Sequence, residues 1–130
     1  SSAALDPRVK IGDLMITIGA MKNEGTSRFY VPDAFPAVPD MELTWMLIQT
    51  AREMTAGSDR DVYVGITSSD DAFYGESPEF IENLRSYKVM NLDMESSALY
   101  AGGTGCNHQW NLRQSDQCGG HLYQEKRTAA

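Results

Sequence analysis

The centre of the chain carries a short apolar stretch, Asp61-Val62-Tyr63-Val64-Gly65-Ile66-Thr67. Its β-branched and aromatic residues predict a buried strand, because such side chains pack well on a pleated surface. A comparable run at residues 14–18, Leu-Met-Ile-Thr-Ile, precedes it, and residues 89–92, Val-Met-Asn-Leu, follow it. The three runs predict three strands buried in one sheet.

Helical patterns alternate with these strands. The first pattern begins after Asp40, a predicted N-cap, and ends at Gly57, a predicted stop. A second pattern runs from Pro78 to about Tyr87, and a third begins at Glu95. The alternation of strands and helices along the chain predicts an α/β fold, in which ligands bind at the strand ends. The apolar stripe of the first helix consists of Leu43, Leu47, Ala51 and Met54.

The composition limits the classes of protein. The chain has 130 residues, 42% hydrophobic and 22% charged, which is typical of one globular domain. A net charge of −7 argues against a general nucleic-acid binder, since phosphate backbones attract clustered Lys and Arg. No apolar run approaches the roughly 20 residues that cross a bilayer. With two cysteines and no visible signal sequence, we expect a cytoplasmic protein without membrane association.

The composition changes near Tyr100. Residues 1–100 carry 16 acidic and 8 basic side chains, whereas residues 101–130 carry 2 and 3. The second segment has no Val, Ile, Met or Phe and holds five of the eleven glycines. So few core-forming side chains cannot easily offset the entropy lost on ordering. We predict a folded domain over residues 1–100 and a divergent, glycine-rich tail over 101–130 that is a candidate for disorder.

The tail contains one arrangement that is similar to a metal site. Its four thiol and imidazole side chains lie within 16 residues, and zinc binds such ligands in structural sites. The first pair is closer in sequence than zinc motifs usually are, so we predict no metal. A small zinc-binding interaction module is kept as an alternative. The four residues are Cys106, His108, Cys118 and His121.

Polar and aromatic residues follow the second strand at residues 67–75, Thr-Ser-Ser-Asp-Asp-Ala-Phe-Tyr-Gly. Their hydroxyls, carboxylates and adjacent aromatic rings could stack a planar ring and hydrogen-bond to it. The same residues could also form an ordinary strand-to-helix turn, in which Ser and Asp cap backbone groups. The pattern leaves both readings open.

A second cluster, Asp93-Met94-Glu95-Ser96, follows the third strand. An ionised carboxylate accepts hydrogen bonds from a vicinal diol, and methionine offers an apolar face to a sugar ring. The alternative is a set of acidic residues in the first turn of a helix, where the helix dipole favours them. At the start of the chain, Ser1 and Ser2 either present hydroxyls to an anion or form a flexible terminus.

Five short motifs, taken in order, resemble the nucleoside phosphorylase family, and within it the bacterial-type uridine phosphorylases. The resemblance covers residues 1 to about 100 and begins partway into the family's chain, as in an incomplete, C-terminal-half segment. It implies part of a three-layer α/β fold with a central mixed sheet flanked by helices. The motifs are Ile11-Gly12-Asp13, residues 23–27 (Asn-Glu-Gly-Thr-Ser), residues 35–40 (Phe-Pro-Ala-Val-Pro-Asp), Ser68-Ser69-Asp70 with Phe73-Tyr74, and residues 90–96 (Met-Asn-Leu-Asp-Met-Glu-Ser).

The resemblance implies phosphate-dependent cleavage of the N-glycosidic bond of a nucleoside, uridine first, to a free base and ribose 1-phosphate. It implies that Glu95 is the catalytic residue and binds the ribose hydroxyls, with Met94 against the sugar. Ser2 then also contacts the ribose and Ser1 the phosphate. Phe73 lines the base pocket. No cofactor is implied beyond inorganic phosphate as co-substrate, and a homo-oligomer, dimer or hexamer, is expected.

The chain also departs from the family pattern. Residues 75–79, Gly-Glu-Ser-Pro-Glu, stand where uridine-specific members place Gln and Arg, and Asp93 stands where the family has Glu. The phosphate-binding arginines of the family precede the matched segment. Two further alternatives therefore stay open: a nucleosidase that uses water, and a catalytically incomplete remnant that binds a nucleoside or associates with a longer subunit.

Overall fold

The computed structural model of the protein describes residues 2–105. Three strands alternate with three helices in the order that the sequence predicts, and one further short strand precedes them. The predicted α/β class, a central mixed sheet flanked by helices, is confirmed. The elements are β1 (Ala3–Ala4), β2 (Leu14–Asn23), α1 (Met41–Thr55), β3 (Val62–Asp70), α2 (Pro78–Ser86), β4 (Val89–Asp93) and α3 (Ser96–Gly105), with a 3₁₀ turn at Ser27–Phe29.

The sheet has the strand order β1-β4-β3-β2. Strands β2, β3 and β4 are parallel to one another, so their carboxyl ends meet at one edge of the sheet. Asn23 pairs with Asp70 and Ser69 pairs with Asp93 at that edge. The short β1 is antiparallel to β4 and pairs Ala3 with Leu92, which makes the sheet mixed. We call the edge where the three parallel strands end the carboxyl edge.

Helices α1 and α2 begin at side-chain caps. The Asp40 carboxylate accepts a hydrogen bond from the Leu43 amide at 2.8 Å, so the predicted N-cap of α1 is confirmed. The Ser77 hydroxyl accepts a hydrogen bond from the Phe80 amide and so caps the start of α2. After α1 ends, Gly57 has a φ of +78°, a conformation that glycine adopts without the steric cost of a Cβ atom. These local signals therefore fix where α1 begins and ends.

The apolar stripe of α1 is buried only in part. Ala51 is buried, but Leu43, Leu47 and Met54 are 46%, 49% and 77% exposed. The helix instead buries a neighbouring stripe, in which a threonine can lie because its hydroxyl hydrogen-bonds to the Asp40 carbonyl at 2.6 Å. Leu43 and Leu47 line an open apolar groove between α1 and α3. The buried side chains of α1 are Thr44, Ile48 and Ala51.

The main apolar cluster lies where α2 covers β4. Leu84 of α2 is 2% exposed and packs with Val89 and Leu92 of β4 and with Leu5, which follows β1. These four residues, which we call the apolar cluster, are joined by partly buried neighbours. Burial of their side chains removes apolar surface from water and stabilises this side of the sheet. The partly buried neighbours are Met21, Phe80 and Ile81.

The last described helix, α3, continues to Gly105, beyond the boundary predicted at Tyr100. The division of the chain into residues 1–100 and 101–130 stays a prediction, because residues 106–130 lie outside the described residues. The four predicted alternative zinc ligands lie there too. Between residues 2 and 105 the structure has no group of three or more metal-binding side chains and no helix long and apolar enough to cross a membrane.

Candidate functional site

The predicted site residues belong to segments that reach the carboxyl edge. Met94 and Glu95 directly follow β4, and Phe73 lies three residues after the end of β3. Ser2 directly precedes β1, whose first residue, Ala3, pairs with Leu92 near the end of β4. Ser1 lies outside the described residues. The topology thus brings Ser2, Met94 and Glu95 to one place and puts the Phe73 loop on the neighbouring strand; their roles stay predictions.

Met94 and Glu95 are exposed at the start of α3. The Met94 side chain is 43% exposed. One carboxylate oxygen of Glu95, Oε2, accepts a hydrogen bond from the Met94 amide at 3.2 Å, and the Glu95 carbonyl accepts from the Leu99 amide at 2.9 Å. Within residues 2–105 no donor contacts Oε1 of Glu95. A carboxylate in this state can accept further hydrogen bonds from the hydroxyls of a ligand.

The Phe73 loop is a capped turn that leaves an aromatic ring exposed. The Asp70 carboxylate accepts from the Ala72 amide at 2.8 Å, as in an ordinary capped turn. The Phe73 ring is nevertheless 57% exposed, and it meets the ring of Tyr74 edge to face, with centroids 5.0 Å apart. An exposed aromatic face of this kind can stack on a planar ring. The turn therefore supports the loop without covering the Phe73 ring.

Beneath these exposed residues the sheet is polar. The hydroxyl of Thr67 donates to the Asn91 side chain at 2.8 Å and contacts the Thr17 hydroxyl at 2.6 Å. Ser68 accepts from the Asn23 side-chain amide at 2.8 Å. Between residues 2 and 105 every buried side-chain nitrogen or oxygen has a hydrogen-bond partner. We call these residues the polar layer: Thr17, Asn23, Thr67, Ser68, Ser69 and Asn91.

Asp93 caps helix α3, and both of its carboxylate oxygens accept hydrogen bonds within the fold. Its Oδ1 accepts from the Ser69 hydroxyl at 2.6 Å and from the Ser96 amide at 3.3 Å. Its Oδ2 accepts from the Ser96 hydroxyl. The reading of this cluster as acidic residues at a helix start therefore holds for Asp93, whereas Glu95 stays open to solvent. One cluster supplies both a structural and an exposed carboxylate.

Glu24 is a buried carboxylate that the sequence motifs contain but to which they assign no role. Its side chain lies just after β2, and the residue is 7% exposed. Burial opposes ionisation, yet hydrogen bonds from Ser27, Ser97 and the Thr26 amide outweigh it and hold the pKa of Glu24 below its ordinary value. A usable signal was present: the amides two and three residues after Glu24 have the spacing of side-chain-to-backbone capping.

Two clefts lie near the sheet. One of about 510 Å³ opens at the carboxyl end of β2 and includes Lys22, Glu24, Arg28 and Asp33, charges of both signs. The other, of about 370 Å³, is the apolar groove between α1 and α3. Neither cleft is lined by Ser2, Phe73, Met94 or Glu95. The predicted site residues are instead exposed in the described part of the chain.

A mixed sheet whose parallel strands end at one edge, followed there by polar loops, defines an α/β protein, and in such folds ligands commonly bind at the strand ends. Comparison with known families is more specific. The chain belongs to the phosphorylase superfamily, whose family model matches residues 1–109. The predicted resemblance to nucleoside phosphorylases is confirmed at this level.

Individual relatives agree with the family. The chain is 32% identical to a guanosine phosphorylase of Halorubrum lacusprofundi over 89% of its length, and 37% identical to a uridine phosphorylase of Thermococcus kodakarensis over 77%. It is 29% identical to the uridine phosphorylase of Escherichia coli over 76%. It spans 50%, 39% and 43% of these three relatives, about half of their length or less.

A solved structure shares the fold. It is described as the P. knowlesi homologue of P. falciparum PNP and superposes with a TM-score of 0.70 at 29% sequence identity. The match covers 80% of this chain and 43% of the solved chain. The architecture of the sheet and its helices is therefore that of a larger phosphorylase-superfamily fold.

Proposed function

We propose that the chain contributes to a nucleoside phosphorylase that uses inorganic phosphate to cleave a nucleoside into a free base and ribose 1-phosphate. The observation that carries the proposal is the exposed pair Met94 and Glu95 at the carboxyl edge, in a chain of the phosphorylase superfamily. Relatives named for uridine and for guanosine support a nucleoside substrate. Uridine is proposed first, because several of the relatives carry that name.

The chemistry assigns each residue a distinct task. The bond between C1′ of the ribose and the base nitrogen breaks, its electron pair leaves with the base, and a phosphate oxygen forms the new bond to C1′. The ribosyl centre becomes oxocarbenium-like, and hydrogen bonds from the ribose hydroxyls to Glu95 strengthen as that charge develops. Met94 lies against the sugar, and Phe73 stacks on the base.

The phosphate is a co-substrate in this proposal, and no further cofactor takes part. Ser1 is proposed to contact the phosphate and Ser2 the ribose, since Ser2 lies beside the strand that leads to Met94. Holding the phosphate against C1′ is chiefly a matter of position, which supplies much of the rate enhancement in such reactions.

A second candidate is a nucleoside-binding subunit whose own site is completed by another chain, in a homo-oligomer or with a longer subunit. It is favoured by the exposure of the proposed site residues, none of which lines either of the two clefts described above. Exposed apolar side chains on α1, among them Trp45 at 61% and Met46 at 63%, offer a surface for such association. A dimer or hexamer fits this candidate and the first.

Calorimetric titration with ribose 1-phosphate and with uracil tests the assignment. Glu95→Ala is expected to weaken ribose 1-phosphate binding by about 1.5–3 kcal/mol, because the sugar hydroxyls lose a charged partner. Phe73→Ala is expected to weaken uracil binding by about 1–3 kcal/mol, by analogy with bases stacked on aromatic side chains. Glu53→Ala, an exposed glutamate in the last turn of α1, is the matched control.

Turnover separates the two candidates. Release of uracil from uridine that requires added phosphate supports the phosphorylase, and release without phosphate indicates a nucleosidase. Ligand binding without turnover supports the second candidate. A wild-type chain that binds neither ribose 1-phosphate nor uracil contradicts both.

A further inference from the structure

One buried charge takes no part in the proposed reaction. Glu24 is 7% exposed, and an ionised carboxylate at such a position is costly unless it is hydrogen-bonded or paired. Within residues 2–105 no Lys or Arg forms an ion pair with it; the two pairs there are Asp6–Arg8 and Glu82–Arg85. Within these residues its negative charge is therefore stabilised by hydrogen bonds from uncharged donors alone.

Those donors come from two separate parts of the fold. Oε2 of Glu24 accepts from the amides of Thr26 at 2.5 Å and Ser27 at 3.0 Å, which close the loop after β2. Oε1 accepts from the hydroxyl of Ser97 at 2.7 Å, in the first turn of α3. The bond between Glu24 and Ser97 joins residues 73 positions apart. One carboxylate thus connects the loop after β2 with the start of α3.

The start of α3 is held from a second side as well. The Ser97 amide donates to the hydroxyl of Ser69 at 3.0 Å, and that hydroxyl donates to Asp93. Asp93 and Ser97 are therefore both anchored to buried partners, while Met94 and Glu95 between them are exposed. The anchors leave little freedom to the backbone that carries these two side chains.

We propose that Glu24 is a positioning residue, which fixes the first turn of α3 through Ser97 and so holds Met94 and Glu95 in place for the ribose. The ligand part of this inference rests on the proposed function. A rigid site binds its ligand more tightly than a mobile one, because its side chains and backbone lose less conformational entropy on binding. Glu24 itself does not contact the sugar.

The first test measures amide hydrogen exchange by NMR in the wild-type chain and in Glu24→Gln and Ser97→Ala. Glutamine has one acceptor oxygen in place of two, so the loop amides and the Ser97 hydroxyl cannot all keep their acceptor. Exchange at residues 95–99 is expected to accelerate about tenfold in both variants, as for loss of one hydrogen bond to a charged group. Exchange in α2 should stay unchanged.

The second test measures ligand affinity in the same variants. Ribose 1-phosphate binding is expected to weaken about tenfold, and uracil binding is expected to stay as in the wild type. Because both variants break the same bond, the double variant should be no weaker than Glu24→Gln alone. Ser86→Ala is the matched control, since the Ser86 hydroxyl donates only to the Asn83 carbonyl at the end of α2.

The outcomes separate this inference from the proposed function. Unchanged exchange at residues 95–99 in both variants overturns the positioning role, and so does acceleration that is equally large in α2. Equal loss of uracil and ribose 1-phosphate affinity overturns it too. A wild-type chain that binds no ribose 1-phosphate contradicts the proposed function, while the exchange rates still decide whether Glu24 fixes the turn.

Discussion

The apolar cluster and the polar layer belong to the same sheet but are stabilised in different ways. In the apolar cluster, Leu84, Val89 and Leu92 are 2–3% exposed and gain stability by removal of their surface from water. In the polar layer, residues 67–69 are fully buried, yet each carries a hydroxyl that needs a partner. Buried hydrogen bonds add little net stability but are costly to break singly. The polar layer therefore fixes geometry where the apolar cluster supplies stability.

The largest effect is expected in the apolar cluster. Leu84→Ala should lower the free energy of unfolding by about 2–5 kcal/mol, because it removes buried methyl groups and leaves a cavity. Urea denaturation measures the change. Leu47→Ala, at a position that is 49% exposed, is the control and should cost clearly less. Equal losses for the two variants would mean that Leu84 is not part of a packed core.

A smaller loss is expected in the polar layer, although no cavity is created. Thr67→Val keeps the side-chain shape but removes the hydroxyl that joins Thr17 to Asn91. The buried Asn91 side chain and the half-buried Thr17 hydroxyl then lose a partner, and the expected loss is about 1–3 kcal/mol by the same denaturation. Thr50→Val on the exposed face of α1 should change stability by no more than about 0.5 kcal/mol. A neutral Thr67→Val would show that the layer tolerates apolar side chains.

The smallest effect is a difference in pH dependence between Glu24, which is linked to Ser69 of the polar layer through Ser97, and the apolar cluster. The folded state holds the pKa of Glu24 below its ordinary value of 4.5, so Glu24 stabilises the fold fully above that value. This contribution is lost as the pH falls through the lowered pKa. Between about pH 6 and about pH 3 the wild type should lose more stability than Glu24→Gln, whereas Leu84→Ala should keep the wild-type dependence. Identical pH profiles for the wild type and Glu24→Gln would refute this origin.

Much of the fold could be predicted because its signals are local. The apolar runs that became β2, β3 and β4 and the cap at Asp40 act within a few residues. The buried face of α1 could not be predicted, because apolar residues lie on more than one side of the helix and only packing against the sheet decides which of them are buried. A hydrogen bond within the helix makes Thr44 acceptable there.

In the candidate site, too, features with local signals could be predicted and features that depend on long-range contacts could not. Asp93-Met94-Glu95-Ser96 could be found by inspection, since one short segment contains both the helix cap and the exposed carboxylate. The contact between Glu24 and Ser97 could not be predicted, because the two residues are distant in sequence and only the sheet brings them together. Strand β1 was missed for the same reason: two alanines carry no strand signal, and they pair with β4 at the far end of the described sequence.

That pairing has a consequence for the order of folding. Ala3 lies opposite Leu92, so β1 joins the sheet only by closing a loop of nearly the whole described chain. The entropy of such a closure rises with loop length, and two residues give few hydrogen bonds in return. We therefore expect β1 to dock after β3 and β4 have paired, and to detach before they separate. Strand β1, which follows Ser2 and runs away from the carboxyl edge, would then be among the last parts of the sheet to assemble.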